Sequence, residues 1–165
     1  MTSQAHDSGF CCANHSAAAD LVAILTAAET QAQAQGARLT PVRKRTLEIL
    51  LEAHGALGAY EVLEKLSAEG FGSQPPVAYR ALNFLVEHGL AHRIRRLNAF
   101  TACTHPGREH RAAFLICDTC KSVTEAEAEA VGTALDQAAQ LSGFQLARAT
   151  IEAVGRCKAC REAAA

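Results

Sequence analysis

Two pairs of cysteines carry the strongest chemical signal in this sequence. Cys117 pairs with Cys120 and Cys157 with Cys160, each pair separated by two residues. This spacing lets two thiolates from one tight turn reach a single ion, and two such pairs complete a tetrahedral four-sulfur site that suits zinc. We therefore predict one structural zinc held by all four cysteines. A redox pair or metal-free thiols are the alternatives, although the helix-opening context that lowers a thiol's pKa is missing here.

Other cysteines and histidines bear on the cellular compartment and on further metal binding. Residues 1–19 show neither the basic nor the apolar region of a signal peptide, and the chain has no apolar run of membrane-spanning length. We therefore expect a cytoplasmic protein with no membrane partner, whose thiols bind metal or react rather than form disulfides. The early residues His6, Cys11, Cys12 and His15 could bind a further metal, but incidental thiols in a mobile N-terminal segment are the simpler interpretation.

The basic residues concentrate in the middle of the chain. Residues 1–35 contain three acidic and no basic residues, whereas residues 36–96 contain nine basic and six acidic ones, a net charge of +3. The remainder, residues 97–165, has seven basic and eight acidic residues, a net charge of −1. A modest basic cluster of this kind can support a phosphate-binding face.

Hydrophobic periodicity predicts a winged helix-turn-helix domain around this basic region. The predicted elements are helices over 20–35, from Thr40-Pro41 to His54, around Tyr60 to Gly70 and from Pro75 to His88, then extended segments over 91–95 and 99–103. The last three of these helices, followed by the two-stranded hairpin, are typical of this fold.

The second half of the chain predicts a smaller α/β unit. Strands are expected over 111–116 and 122–125, then a helix over 127–141 with Val131, Leu135 and Ala138 facing inward, and a long strand over 144–154. The expected fold class is α+β: a mobile segment over 1–19, a winged-helix domain over 20–97, a connection over 98–107, and a small α/β unit with the cysteine pairs over 108–165.

The helix that begins at Pro75 is the predicted recognition helix. Arg80, Asn83 and Glu87 share the face opposite its apolar residues. We expect Tyr79 and Arg80 to contact base edges in the major groove, with Asn83 beside them, because arginine can grip guanine through two hydrogen bonds. Contacts to phosphates are expected from four arginines, which set register without reading sequence: Arg43, Arg45, Arg93 and Arg95.

The order of these motifs resembles the ferric uptake regulator family. The resemblance runs from about Leu39 to Cys160 and is carried by LTPVRKRTLEIL, PPVAYRALNFLVEHGLAHRI, FLICDTCKSVTE and the last cysteine pair. It implies an N-terminal winged-helix domain over 20–97, a hinge over 98–107, and a C-terminal dimerisation and metal-binding domain with zinc sites over 108–165. A dimer should favour a near-palindromic operator in double-stranded DNA.

Within that family the chain looks most like the zinc uptake regulator branch. The histidine-rich cluster common in the iron and peroxide branches is reduced here to His105 and His110. The zinc branch's sensing pattern is matched instead, which implies a second zinc per subunit and a set of four ligands: His92, Cys103, His110 and Glu125. His105 lies two residues past Cys103 and is a possible substitute.

The resemblance implies a repressor of zinc-uptake genes rather than an enzyme. Each expected zinc site already has four protein ligands, so neither leaves the open coordination position that a catalytic zinc keeps for water. No small-molecule substrate is therefore expected. An iron, manganese or peroxide sensor on the same scaffold is one alternative, which a thiolate in the sensing site disfavours. A zinc-ribbon interaction module without sensing is the other.

Overall fold

The computed structural model describes residues 18–53, 55–107, 112–147 and 149–163, which form two α+β units in succession. The first unit comprises α1 (Ala18–Ala34), α2 (Pro41–Glu52), β1 (Leu57–Gly58), α3 (Ala59–Ala68), α4 (Pro75–Glu87), β2 (Ala91–Ile94) and β3 (Ala99–Ala102). The second comprises β4 (Ala112–Cys117), β5 (Val123–Glu127), α5 (Glu129–Leu141), β6 (Ile151–Gly155) and α6 (Lys158–Glu162). Within the described ranges, no helix has the length and apolar character needed to cross a membrane. The predicted α+β class is confirmed.

The first unit is organised around one apolar core to which helices α1 to α4 all contribute. In α3 the buried residues are Ala59, Val62, Leu63 and Leu66, which repeat at the spacing of one helical face. Each leucine that moves from water into such a core contributes about 1.5–3 kcal/mol. Tyr60 falls outside this stripe and is 68% exposed, so it marks the outer face of α3 rather than the core.

Gly89 ends α4 and directs the chain into the wing. Its φ of 68° lies in the left-handed region, where glycine has no Cβ to clash. The Leu90 N–H donates to the Leu85 carbonyl at 2.8 Å and the Gly89 N–H donates to the Val86 carbonyl at 3.2 Å, which is a Schellman motif. This cap fixes the path from the predicted recognition helix into β2 and so the position of His92.

The first sheet is antiparallel with strand order β1-β3-β2. Ile94 pairs with Ala99 and His92 pairs with Thr101. The central strand, β3, ends at Ala102. The first sheet therefore extends beyond residue 97, the expected end of the winged-helix domain. The expected N-terminal segment over 1–19 lies outside the described residues, except for Ala18 and Ala19, which belong to α1.

The second sheet has the order β5-β4-β6, with β4 antiparallel to β5 and parallel to β6. On the central strand, Phe114 is paired with Glu125 on one side and Glu152 on the other. The long strand expected over 144–154 is wrong, since β6 spans only Ile151–Gly155. The pairing with β4 begins at Ile151 and continues only to Gly155, so the apolar residues before it have no ladder to join.

Helix α5 differs from its expected orientation. Val131 and Leu135, predicted to face inward, are 53% and 39% exposed in the single chain, and Ala138 is exposed as well. Gly132 is the buried residue of this helix. Amphipathic spacing therefore identified an apolar stripe but not the surface that covers it.

A small apolar cluster joins the two units. Ile94 from β2 packs with Phe114 and Ile116 from β4, and the three side chains are at most 3% exposed. Partly buried residues of both units surround them: Ala56, Leu97, Ala112 and Val123. The wing thus rests directly on the second sheet.

Candidate metal centres and nucleic-acid interface

The four predicted structural ligands come together at one end of the second sheet. Cys117 is the last residue of β4, Cys120 follows in the turn to β5, and Cys157 and Cys160 lie at the start of and within α6. All four sulfur atoms lie within 4.8 Å of one another, and the Cys120 and Cys157 sulfurs are 3.8 Å apart. Ligands at the zinc–sulfur distance of about 2.3 Å on a tetrahedron would be separated by about 3.8 Å, so the cluster fits a four-sulfur zinc site.

Backbone hydrogen bonds hold the two cysteine turns against each other. The Asp118 N–H donates to the Gly155 carbonyl at 2.8 Å, and the Cys157 N–H donates to the Cys117 sulfur at 3.4 Å. The N–H groups of Cys157 and Cys120 lower the pKa of Cys117 to about 6. Neighbouring Cys157 and Cys120 raise the pKa of Cys160 to about 12. Four clustered sulfurs cannot all ionise without a compensating cation, which is the electrostatic property of a metal site.

A second cluster lies where the wing meets the second unit. His92 lies on β2, Cys103 directly follows β3, and Glu125 lies on β5. Their ligand atoms are all within 4.8 Å of one another, and His92 Nε2 is 3.3 Å from Glu125 Oε1. Three of the four expected sensing ligands are therefore together, whereas His110 lies outside the described residues. His105 is described and is not part of this cluster.

The surroundings of this second cluster suppress thiol ionisation and orient the carboxylate. Cys103 is 1% exposed, and burial, followed by the charge of Glu125, raises its pKa to about 12. Glu125 Oε2 accepts hydrogen bonds from the Thr104 N–H at 3.1 Å and the Thr104 hydroxyl at 2.8 Å. The His92 ring also packs 5.1 Å from the Phe114 ring. A thiol, an imidazole and a carboxylate thus meet in a largely buried place, and this donor set fits zinc.

The outer face of α4 presents the predicted base-contacting residues to solvent. Tyr79 is 40% exposed, and Arg80 and Asn83 are exposed. Tyr60 lies beside Tyr79: the two ring centroids are 6.4 Å apart and the rings are nearly perpendicular. The sequence interpretation did not assign Tyr60 to this surface. Its position outside the buried spacing of α3 was the signal that could have done so.

Arg45 requires a correction to the predicted phosphate contacts. Its guanidinium is within 2.6 to 3.1 Å of carboxylate oxygens from Glu48, Glu52 and Glu69, and these partners raise its pKa. A guanidinium surrounded by three carboxylates has few donors left for a phosphate. Arg45 instead ties α2 to Glu69, the residue at the end of α3.

The other three predicted phosphate contacts have different environments. The Arg43 guanidinium lies 3.6 Å from the centroid of the Phe84 ring, and its Nη1 donates to the Arg38 carbonyl at 2.8 Å. Arg93 Nη2 donates to Asn98 Oδ1 at 2.9 Å in the wing. The Arg95 side chain is exposed. These three arginines stay predictions as DNA contacts.

This combination of features defines a class of protein: a winged-helix protein with one candidate metal centre in its second unit and another between its units. The chain matches the ferric uptake regulator family over residues 34–154. It is 36% identical over 140 residues to the zinc uptake regulation protein of Escherichia coli (strain K12), which covers 84% of this chain and 82% of that protein. The chain belongs to the ferric uptake regulator family.

Solved structures of zinc uptake regulators share this architecture. A zinc uptake regulator complexed with zinc and DNA superposes with a TM-score of 0.82 at 35% identity, over 87% of this chain and 96% of that one. The holo form of XcZur superposes with a TM-score of 0.76 at 38% identity, over 87% of this chain and 99% of that one. The apo form of XcZur, at the same identity and coverage, superposes with a TM-score of only 0.50. This structure is therefore more similar overall to the holo form of XcZur than to its apo form.

Proposed function

We propose that this protein is a zinc-responsive transcriptional repressor that binds a near-palindromic operator as a homodimer and controls genes of zinc uptake. The observation that carries this proposal is the cluster of His92, Cys103 and Glu125, which draws its side chains from both units. A site built this way links metal occupancy to the relative orientation of the winged helix and the second unit. The named relatives, a zinc uptake regulation protein and a regulator bound to zinc and DNA, support the same function.

We further propose two zinc sites per subunit with separate tasks. Cys117, Cys120, Cys157 and Cys160 would hold a structural ion that joins β4 to α6, which stabilises a small unit. His92, Cys103 and Glu125, with His110 as the fourth ligand, would form the sensing site. A bound zinc ion would supply a divalent positive charge, and thiolate, imidazole and carboxylate are ligand types that zinc accepts. The cysteine thiolate favours zinc over manganese, which prefers oxygen ligands.

The sensing cluster joins the first unit to the second through the protein's own residues. His92 is paired with Thr101 in the β2–β3 ladder, so its backbone moves with the wing, while its ring packs on Phe114 of the second sheet. Glu125 is paired with Phe114 in the β4–β5 ladder, so its backbone moves with the second sheet, while its carboxylate accepts a hydrogen bond from Thr104, just beyond β3. Cys103 follows β3, where the first sheet ends. Fixing the distances among these three residues fixes the angle between the units.

The proposed homodimer would form through the second unit. The exposed apolar stripe of α5, with Val131 and Leu135, and Leu115 on β4, which is 50% exposed, are apolar surface that a partner subunit would cover. A dimer presents two α4 helices, which explains the expected near-palindromic site. In each subunit Tyr79, Arg80 and Asn83 would face the bases. The proposed location is the cytoplasm, where a regulator of this class meets DNA.

Zinc titration with a DNA readout tests this function. The starting protein would keep zinc in the four-cysteine site but have the sensing site emptied. It would be titrated with zinc, and with manganese and ferrous iron as matched controls. Binding would be followed by fluorescence anisotropy on a duplex selected from a random pool by the zinc-loaded protein. We expect zinc to promote specific binding at lower free concentrations than the other metals, and a chelator to reverse it. Binding that ignored zinc, or that responded better to manganese or iron, would contradict the proposal.

A further inference from the structure

The turn between β2 and β3 presents two consecutive backbone N–H groups to the second unit. The Arg95 N–H donates to Glu152 Oε1 at 2.7 Å, and the Arg96 N–H donates to Glu152 Oε2 at 3.1 Å. Both donors lie just beyond Ile94 and Ala99, the last pair of the β2–β3 ladder. Strand pairing therefore leaves these N–H groups for another acceptor, and one carboxylate from β6 takes both, with one oxygen for each.

This contact is stronger and more directional than an ordinary surface hydrogen bond. Consecutive backbone N–H groups in a turn form a concave anion site, and hydrogen bonds to a carboxylate are about twice as strong as neutral ones. The turn itself is held in shape, since the Asn98 N–H donates to the Arg95 carbonyl at 3.1 Å and Arg93 Nη2 donates to Asn98 Oδ1 at 2.9 Å. Glu152 therefore grips the backbone of the wing, whatever side chains residues 95 and 96 carry.

The position of Glu152 connects the wing to both metal centres. On β6 it pairs with Phe114, whose ring packs against His92 and whose side chain shares the buried cluster with Ile94. His92, Ile94 and Arg95 follow one another along the same strand and turn. Toward its carboxyl end, β6 leads through Gly155 to Cys157. A displacement of the turn relative to β6 would therefore move His92 relative to Glu125.

We propose that Glu152 is a positioning residue whose carboxylate latches the wing onto the second unit and so holds His92 within reach of Cys103 and Glu125. The latch is built from protein groups alone and acts alongside the metal rather than through it. Its effect on DNA binding rests on the function proposed above. Its effect on the wing does not, because the two backbone hydrogen bonds are a property of the fold.

The test compares Glu152→Gln and Glu152→Ala with Glu162→Gln in the full-length protein, which is zinc-loaded for hydrogen exchange and held at a series of buffered free zinc concentrations for DNA binding. Glu162 is a matched control in the same unit: it is exposed, and its ion-pair contact is with exposed Lys158 at 4.0 Å. Hydrogen–deuterium exchange at the Arg95 and Arg96 amides reads the latch directly, without DNA. The free zinc concentration that gives half-maximal binding to the selected duplex reads its consequence. Dimer mass and retention of the four-cysteine zinc report folding.

Both Glu152 variants should exchange faster at residues 95 and 96 while staying dimeric. They should also need roughly 3- to 10-fold more free zinc for half-maximal DNA binding, since Glu152→Ala removes both charge-assisted hydrogen bonds and Glu152→Gln leaves one neutral acceptor for two N–H groups. Glu162→Gln should match the wild type in both measurements. Unchanged exchange at residues 95 and 96 would overturn the latch, and faster exchange with unchanged zinc dependence would overturn the positioning role. If wild-type DNA binding ignored zinc, the proposed function would fail, and the exchange result alone would decide the latch.

Discussion

The two metal-ligand clusters differ in where their ligands come from. The four-cysteine cluster draws only on β4, the following turn and α6, all in the second unit, and includes an exposed residue, Cys120. The cluster of His92, Cys103 and Glu125 draws on both units and is largely buried. A cluster within one unit can stabilise that unit, but it cannot report on its orientation toward another. A cluster shared between units can do both, which is why regulation is expected there.

The largest effect on the fold is expected from a change in the four-cysteine cluster. Cys117→Ala would remove one of four ligands from a small unit whose sheet has three strands. Structural zinc contributes about 10–16 kcal/mol of apparent binding free energy to zinc-finger peptides, so loss of the fold of the second unit and of dimerisation is expected. Circular dichroism, sedimentation and zinc content measure this. Thr119→Ala, between the same two cysteines, is the matched control and should leave all three unchanged. If the Cys117→Ala protein stayed folded and dimeric, the four-cysteine cluster would not have the proposed structural role.

The next effect is expected from the shared cluster and should leave the fold intact. Cys103→Ser keeps the shape of the side chain but removes the soft thiolate ligand. We expect a folded dimer that retains its four-cysteine zinc and loses zinc-dependent DNA binding, a coupling of roughly 5- to 150-fold in wild-type protein. Linkage requires that operator DNA tighten zinc binding in the wild type by the same factor and not in the variant. If Cys103→Ser still required zinc at wild-type concentrations, the sensing site would lie elsewhere, with His105 or the early Cys11 and Cys12 as the next residues to test.

A change outside both clusters separates metal sensing from DNA reading. Arg80→Ala should weaken operator binding by about 1–3 kcal/mol and relax specificity at one base pair, while zinc stoichiometry stays the same. Anisotropy titrations with operator and random duplexes at equal salt measure the two affinities. Equal weakening on both duplexes would mean that Arg80 contacts phosphate rather than a base.

The smallest effect is a pH dependence that originates in the shared cluster. The raised pKa of Cys103, about 12, keeps its thiol protonated in the metal-free protein below that pH. A thiolate ligand must lose this proton, so zinc loading should release it, and affinity should fall as pH falls, by up to about tenfold per pH unit for one proton. Calorimetry in two buffers of different ionisation enthalpy counts the released protons. Cys103→Ser should release about one fewer, and an equal count would place the proton release at other residues.

Much of this architecture follows from local sequence signals. The helix that begins at Pro41 starts where its proline indicates, and Gly89 ends α4 because only glycine adopts its φ without penalty. The cysteine pairs are equally local, since two residues of spacing place both thiols on one turn. The length of β6 and the exposure of Val131 were not predictable in this way. A strand needs a partner strand along its whole length, and the pattern of an apolar stripe does not indicate which surface packs against it.

The sequence by itself determined the winged helix, the four-cysteine cluster and the family to which the chain belongs. Only the tertiary structure decided that Arg45 pairs with three carboxylates, that Tyr60 joins Tyr79 on the outer surface, and that Glu152 binds the turn of the wing. Arg45 and Glu69 are 24 residues apart, and Arg95 and Glu152 are 57 apart. Periodicity and short motifs act within one element, whereas these contacts depend on how separate elements pack, which no local pattern specifies.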